Sequence, residues 1–135
     1  MIKNRLIVIA IVLILAAITM SGCESAGHAG YNARISHEQA MEIMTGNGYV
    51  VILDVRSLEE FNTGHIPDAV SLPIDEISDA VTFMIPDKGQ IILVYCRSGI
   101  RSADAAVILS EMGYRNVFDF GGIIDWTGEI RTPLH

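Results

Sequence analysis

Cys96 lies close to two positive charges in an otherwise acidic chain. The segment YCRSGIRSADAA, residues 95–106, places Arg97 and Arg101 within five positions of this thiol. Nearby cations and a helix N-terminus lower the pKa of a cysteine below the ~8.5 of a free thiol, and the thiolate is the nucleophilic form. These residue types at this spacing predict a reactive thiolate in an anion-binding loop.

The segments on either side of Cys96 predict how this loop is built. An apolar run, QIILVY, leads into the cysteine, and a helical pattern follows from a Ser102 cap to a stop at Gly113. The first N–H groups of a helix have no intrahelical acceptor, and with the helix dipole they favour an anion placed just before them. Gly99 allows the loop to curl, so we expect successive amides to point inward at the sulfur.

Each of these assignments has a simpler alternative. Cys96 could be an inert, buried thiol at a strand end, although two arginines are unfavourable neighbours for a hydrophobic side chain. Arg101 could contact an anion directly or only shape the loop by bonding its carbonyls, and Arg97 could steer anionic donors or be an ordinary surface charge. The four histidines, at positions 28, 37, 65 and 135, have no metal-ligand spacing, so we predict neither a metal site nor a cofactor.

The first 22 residues differ in composition from the rest of the chain. Lys3 and Arg5 precede an uncharged apolar run over residues 6–18, which is short for a bilayer span of roughly 20 residues and suits the core of a secretory signal peptide. The segment ends in TMSGC, and small residues directly before a cysteine resemble the bacterial lipoprotein box. That resemblance implies lipidation of Cys23 and a lipid-anchored location in the cell envelope, outside the cytoplasmic membrane.

An uncleaved anchor helix, with Cys23 as an ordinary thiol, is the alternative and places the domain outside the same membrane. Without residues 1–22, seven Lys and Arg face sixteen Asp and Glu, a net charge of about −9 that disfavours nucleic acid as a partner. If Cys23 carries lipid, Cys96 has no disulfide partner in the chain. Residues 23–34 are small, polar and glycine-containing, and predict a flexible tether before a single domain of residues 35–135.

Beyond the tether, helical and strand patterns alternate. SHEQAMEIMTGNG carries a capping-box pattern at Ser36 and Gln39, and YVVILDV and QIILVYC are short apolar runs typical of strands buried on both faces. Shorter strands are predicted at AVSLP and NVFDF, and further helices at SLEEFNTG and IDEISDAVTFM. This alternation predicts an α/β domain with a mainly parallel sheet of about five strands and helices on both faces. Ligands bind such sheets at the carboxyl ends of strands, where Cys96 lies.

Three separated blocks resemble the rhodanese family of sulfurtransferases. CRSGIRS is similar to the family's active-site loop, LDVRSLEEFNTGHIPDAVSLP to its D-x-R, E-F and G-H-I-P-x-A segment, and GYRNVFDFGGIIDW to the stretch that closes its sheet. Together the blocks span most of the chain from Ile35 to Trp126, with Asp68 standing where the family often has glycine. The resemblance implies a rhodanese-like fold.

The resemblance also implies a role for each residue of the site. Cys96 is the expected catalytic nucleophile. Asp54, Arg56 and His65 are expected to support the site through hydrogen bonds, ion pairs and turn packing. The expected substrate-binding residues are the rest of the loop: Arg97, Ser98, Gly99, Ile100, Arg101 and Ser102.

By the same resemblance, the reaction is a double displacement. The Cys96 thiolate takes the outer sulfur of a small anionic donor such as thiosulfate, sulfite leaves, and a thiol or cyanide acceptor then removes the sulfur from the persulfide. Phosphatases of this fold have C-x5-R, one residue more than the C-x4-R spacing here, and the shorter loop suits a sulfane sulfur. The alternatives are a phosphatase or arsenate reductase on the same fold, and a non-catalytic binding or sensing module of the cell envelope.

Overall fold

The computed structural model describes residues 31–46 and 48–132. The predicted signal peptide of residues 1–22, the lipidation site Cys23 and residues 24–30 of the predicted tether lie outside the described residues, so these assignments stay predictions. Within the described ranges, no helix has the length and apolar character needed to cross a membrane.

Strands and helices alternate along the chain, as the sequence patterns predict. The five strands of the described residues are β1 Tyr31–Arg34, β2 Val50–Asp54, β3 Ala69–Ser71, β4 Ile91–Cys96 and β5 Asn116–Gly122. The four α-helices in the same part of the chain are α1 His37–Thr45, α2 Leu58–Thr63, α3 Ile77–Met84 and α4 Ile100–Glu111. Two 3-10 turns, Ile74–Glu76 and Ile123–Asp125, precede α3 and follow β5.

The strands form one sheet in the order β1-β5-β4-β2-β3, and every neighbouring pair is parallel. The central strand β4 is buried from Ile92 to Cys96, which is the burial on both faces that its unbroken apolar sequence predicts. The expected α/β architecture with a parallel sheet of about five strands is confirmed. Because all strands run the same way, their last residues, Arg34, Asp54, Cys96 and Gly122 among them, lie along one edge.

Helices cover both faces of this sheet. On one face, α3 and α4 contribute Ile77 and Leu109 to the larger apolar core. On the other face, α1 contributes Ala40 to a second core that also contains Leu93 and Tyr95 of β4. Alternate residues of β4 point into opposite cores, so the strand that carries Cys96 is held from both sides.

Two of the helices begin with a capping box. In α1, the Ser36 hydroxyl accepts the Gln39 N–H at 3.2 Å and the Gln39 side chain accepts the Ser36 N–H at 2.9 Å, which confirms the predicted cap. The same reciprocal pair joins Ser57 and Glu60 at the start of α2, at 3.2 and 3.1 Å. This second box fixes Glu60 in the first turn of α2.

The predicted tether is wrong for residues 31–34. This segment forms edge strand β1, which pairs in parallel with β5 from Tyr31↔Asn116 to Arg34↔Asp119. Its sequence, YNAR, alternates apolar and polar residues over four positions only, and it follows small, polar, glycine-containing residues, so the pattern is too short to indicate a strand. A short edge strand is held largely by backbone hydrogen bonds to its single neighbour, and a composition pattern does not detect such a strand.

Candidate active site at the end of strand β4

Cys96 is the last residue of β4 and pairs with Gly122 of β5. The residue is buried, with 1% of its surface exposed. The next two residues, Arg97 and Ser98, are exposed, and Gly99 after them is buried. The sulfur therefore lies beneath a short loop at the carboxyl edge of the sheet, where the α/β pattern predicts a site.

The loop turns back over the sulfur at Gly99. This residue has φ of 95° and ψ of 0°, a left-handed conformation that glycine adopts without strain. Its N–H donates to Cys96 Sγ at 3.0 Å. Helix α4 begins at the next residue, Ile100. The prediction of a helix that starts near Ala103 is therefore wrong, because the left-handed turn directs the chain into the helix sooner.

Ser102 is buried in the first turn of α4, next to the sulfur. The prediction that Ser102 caps this helix is wrong, because the cap position is Gly99. Cys96 Sγ and Ser102 Oγ are 3.6 Å apart, and the Ser102 hydroxyl donates to the Gly121 carbonyl at 3.3 Å. A hydroxyl has one hydrogen and can accept as well as donate. In the thiol form, Ser102 accepts the S–H; in the thiolate form, its own hydrogen can rotate to the sulfur.

The pKa of the Cys96 thiol is lower than that of a free cysteine. Burial raises this pKa, but the Ser102 hydroxyl and the backbone N–H groups of Ser102, Gly99 and Ser98 lower it by more. The Gly99 N–H points at the sulfur, as expected for this loop. The hydrogen-bond donors that stabilise the thiolate come from the backbone and from Ser102. The sequence also suggests that Arg97 and Arg101 lower this pKa.

Arg101 is held by a carboxylate from α2. Its Nη1 and Nη2 atoms donate to the two carboxylate oxygens of Glu60 at 2.7 and 2.9 Å. These hydrogen bonds outweigh the opposing effect of burial and lower the pKa of Glu60 to about 2. Arg101 thus shapes the site by tying α2 to α4, through Glu60 and not through loop carbonyls. Its direct contact with an anion stays a prediction.

Arg97 and Ile100 lie on the outside of the loop. The Arg97 carbonyl accepts the Ile124 N–H at 3.1 Å, which fixes the backbone of the loop against the turn after β5. Arg97 itself is exposed, and Ile100 is 72% exposed. These positions suit residues at the mouth of a site, and a role for Arg97 in steering anionic donors stays a prediction.

The end of β5 forms the floor of the loop. A Cβ atom on Gly122 would overlap the Arg97 carbonyl oxygen and come within 2.7 Å of Ser98 Cα. Both contacts are with backbone atoms, which cannot move aside as a flexible side chain can. The close packing of the loop on β5 therefore requires glycine at position 122, a role that the sequence patterns do not assign.

Asp54 and Arg56 form a buried ion pair at the end of β2. Arg56 Nε donates to the two Asp54 oxygens at 2.9 and 3.0 Å, and Arg56 Nη2 donates to Asp54 Oδ2 at 2.6 Å and to the Gly64 carbonyl at 2.8 Å. The guanidinium also lies 5.7 Å from the centre of the Tyr95 ring. A buried ion pair needs such additional hydrogen bonds to offset desolvation. This geometry fits the bracing role expected for both residues.

His65 is packed in the turn that follows α2. Its ring stacks on Phe61 with centroids 3.8 Å apart, and its Nδ1 lies 3.1 Å from the Phe61 carbonyl oxygen. Its backbone forms an antiparallel bridge with Arg131. These contacts fit the expected turn residue and not a general base.

The family comparison agrees with this arrangement. The family model described as the rhodanese-like domain matches residues 36–129. The chain belongs to the rhodanese-like family. The matched range contains the whole loop from Cys96 to Ser102 and the ion pair of Asp54 and Arg56.

Relatives of this rhodanese-like domain include named sulfurtransferases. The thiosulfate sulfurtransferase PspE of Escherichia coli K12 is 38% identical over 73 residues, which cover 54% of this chain and 70% of that protein. A sulfurtransferase of Allochromatium vinosum is 34% identical over 93 residues, which cover 68% of this chain and 85% of that protein. A solved rhodanese with anions from E. coli has a TM-score of 0.59 and 33% identity, and the match covers 63% of this chain and 100% of that one. These similarities support sulfur transfer as the general chemistry of the family.

The G-H-I-P turn of this rhodanese-like domain contains a backbone conformation that favours glycine. Asp68 has φ of 63°, in the left-handed region. Its side chain is 86% exposed and lies 3.7 Å from Arg131. Glycine adopts this conformation without strain, and aspartate is among the few other residues that tolerate it.

Proposed function

We propose that the protein is a sulfurtransferase that moves a sulfane sulfur from thiosulfate, or a similar small anionic donor, to a nucleophilic acceptor through a persulfide on Cys96. The observation that carries this proposal is the 3.0 Å hydrogen bond from the Gly99 N–H to Cys96 Sγ, with the Ser102 hydroxyl 3.6 Å away. Donors fixed by the fold stabilise an anion without reorganising during the reaction. The same donors serve the thiolate and the anionic persulfide.

The first half of the reaction loads the enzyme with sulfur. The Cys96 thiolate attacks the outer sulfur of thiosulfate, a new S–S bond forms, and the S–S bond of the donor breaks. Its electron pair leaves with sulfite, and the terminal sulfur of the new persulfide carries the negative charge. No proton moves in this step, so a thiolate that is already ionised needs no general base.

The second half returns the enzyme to its resting state. A thiolate or cyanide attacks the terminal sulfur of the persulfide, and Cys96 leaves as a thiolate that Gly99 and Ser102 stabilise again. Cys23 and Cys96 are the two cysteines of the chain. If Cys23 carries lipid, the acceptor must be another molecule, because the chain then has no second thiol to resolve the persulfide.

The test is mass spectrometry of the intact protein after exposure to thiosulfate. The proposal predicts the addition of one sulfur to wild type and none to Cys96→Ser. A subsequent addition of cyanide should remove that sulfur and release thiocyanate. An unchanged wild-type mass would overturn the proposal, and Cys96-dependent hydrolysis of an aryl phosphate without sulfur loading would favour a phosphatase.

The burial of Cys96 supports one alternative, a binding or sensing module of the cell envelope. With 1% of the residue exposed, the sulfur is covered in this conformation. A catalytic site requires a donor that enters beneath the loop, or a loop that opens. Because thiosulfate is small, thiol reagents of different size distinguish the two possibilities. A catalytic Cys96 should react faster with small reagents than with bulky ones, and an inert Cys96 should react with neither.

We also propose that the protein is lipid-anchored in the cell envelope through Cys23. The proposal rests on the charged start, the apolar run over residues 6–18 and the small residues before Cys23. Processing in the native host should be sensitive to globomycin, and the mature mass should correspond to a chain that begins at an acylated Cys23. Retention of residues 1–22 would overturn this proposal and favour the uncleaved anchor.

A further inference from the structure

Arg34 reaches the loop above Cys96 from the edge strand of the sheet. It is the last residue of β1 and pairs with Asp119 of β5, and it precedes the range matched by the family model, residues 36–129. Its side chain is 60% exposed, whereas that of Asp119 is 5% exposed. The pair therefore joins a buried carboxylate to a guanidinium on the surface, near the carboxyl ends of the strands, where Cys96 lies.

The guanidinium of Arg34 lies against the backbone of two glycines. Its Nη1 donates to Asp119 Oδ2 at 3.0 Å and to the Gly99 carbonyl at 3.4 Å. A Cβ atom on Gly99 would come within 2.8 Å of Arg34 Nη2, and one on Gly121 within 3.0 Å. The two glycines thus leave the space that the guanidinium fills.

Asp119 also binds the backbone of Gly121, with the carboxylate oxygen that Arg34 leaves free. Its Oδ1 accepts the Gly121 N–H at 2.9 Å, and the Gly121 carbonyl accepts the Ser102 hydroxyl. Gly99 in turn donates its N–H to the sulfur. The N–H that lies 3.0 Å from the sulfur therefore belongs to a residue whose carbonyl Arg34 holds, and Asp119 holds Arg34.

We propose that Arg34 and Asp119 are positioning residues for the Cys96 thiolate. Arg34 fixes the carbonyl of Gly99, which keeps this left-handed residue oriented with its N–H on the sulfur. Asp119 holds Arg34 through Oδ2 and fixes the Gly121 backbone, on which the guanidinium also packs. The proposal deepens the function proposed above, and it rests on Cys96 being the reactive thiol.

An ordinary surface ion pair contributes little to a protein. Two features distinguish this pair. The carboxylate is buried and already bound to a backbone N–H, and the guanidinium packs on the glycine that donates to the sulfur. The effect expected is thus geometric, and a cation of a different shape should not replace it.

The test is the pH dependence of Cys96 alkylation by iodoacetamide in the full chain. Tryptic cleavage after Lys88 and Arg97 releases residues 89–97, in which Cys96 is the single cysteine, so Cys23 does not interfere. The variants are Arg34→Gln and Arg34→Lys. The matched control is Arg115→Gln, which removes the same charge from an exposed residue just before β5. Arg115 lies at the amino end of this strand, away from Cys96. Thermal unfolding confirms that each variant is folded at the assay temperature.

At neutral pH, Arg34→Gln should slow alkylation by about fivefold, the equivalent of one weakened hydrogen bond to the thiolate. The rate at high pH, where the thiol is fully ionised, should equal that of wild type. Arg34→Lys should show most of the same loss, and Arg115→Gln none. Full rescue by Lys, or an unchanged pH profile in Arg34→Gln, would overturn the positioning role. A wild type that alkylates as predicted but takes up no sulfur would instead overturn the proposed function alone.

Asp119→Asn tests the other half of the pair. Asparagine keeps the size of the side chain and an oxygen for the Gly121 N–H, but it removes the charge that holds Arg34. The double variant Arg34→Gln with Asp119→Asn should alkylate no more slowly than either single variant, because both changes break one unit. Additive losses would contradict the proposal.

Discussion

The Arg101 guanidinium and the Glu60 carboxylate form two hydrogen bonds, of 2.7 and 2.9 Å, between helices α2 and α4. Helix α2 follows β2, and α4 follows Cys96 at the end of β4. The pair therefore joins the connections that leave two adjacent strands. The charge of Arg101, in the first turn of α4, is therefore engaged in a contact between helices. The backbone N–H groups and Ser102 remain as the hydrogen-bond donors to the sulfur.

Glu60→Gln should remove this ion pair while keeping the cap of α2, since Gln39 completes the same capping box in α1. The folded pKa of about 2 is below the ~4.3 of a free glutamate, so the ionised side chain stabilises the fold above about pH 4 and loses this effect as the pH falls toward 2. Both side chains are about one-third exposed, so the loss near neutral pH should be about 0.5–1 kcal/mol. Thermal unfolding at neutral and at strongly acidic pH measures it. The same loss at both would contradict the assignment.

Gly122→Ala should displace the loop that covers Cys96. The added Cβ meets backbone atoms of Arg97 and Ser98, so the loop must shift. We expect a loss of about 1–3 kcal/mol in the free energy of unfolding, as for overpacking elsewhere, and a fall of more than tenfold in sulfur loading. Gly48→Ala is the control, because no atom lies within 4 Å of its added Cβ. Thermal unfolding and persulfide mass spectra measure the two effects, and normal loading in Gly122→Ala would count against the close fit.

Ser102→Ala should raise the pKa of Cys96, because the thiolate loses a donor while its burial remains. The initial rate of persulfide formation at neutral pH should fall by about fivefold, which corresponds to one hydrogen bond of ~1 kcal/mol. Ser78→Ala, at an exposed position of α3, should have no effect. The defect of Ser102→Ala should shrink as the pH rises and both proteins ionise. A defect of constant size at every pH would show that Ser102 does not act on the pKa.

Asp68→Gly should stabilise the protein by up to about 1 kcal/mol. Glycine relieves the left-handed φ of 63°, although its greater freedom in the unfolded chain offsets part of the gain. The lost ion pair with Arg131 spans 3.7 Å between exposed side chains and contributes little. Asp68→Ala, with a Cβ and no polar group to stabilise the turn, should lower the stability instead. Chemical denaturation measures both variants, and a stabilised Asp68→Ala would contradict this account.

The fold follows from the sequence because its signals are local and repeated. Buried parallel strands read as unbroken apolar runs, and the β4 run before Cys96 is of this kind. Capping at Ser36 is visible in the sequence for a similar reason, since both partners lie in one turn. Edge strand β1 is too short, at four residues, to give a clear signal, and it depends on hydrogen bonds to β5, far away in sequence.

The site was predictable only in part, and the reason is sequence separation. The cysteine and the curled loop around Gly99 are contiguous, so their chemistry can be read directly. Glu60 lies 41 residues from Arg101, and Arg34 lies 65 residues from Gly99. A charge can be recognised in a sequence, but its partner is decided by the fold, and this is why the arginines were assigned to the thiolate.

We expect the backbone N–H groups and Ser102 to hold the pKa of Cys96 below that of a free cysteine. The most direct measurement is the ultraviolet absorbance of the thiolate as a function of pH, taken as the difference between wild type and Cys96→Ser. The midpoint should lie clearly below the ~8.5 of a free cysteine. A midpoint at or above that value would contradict it.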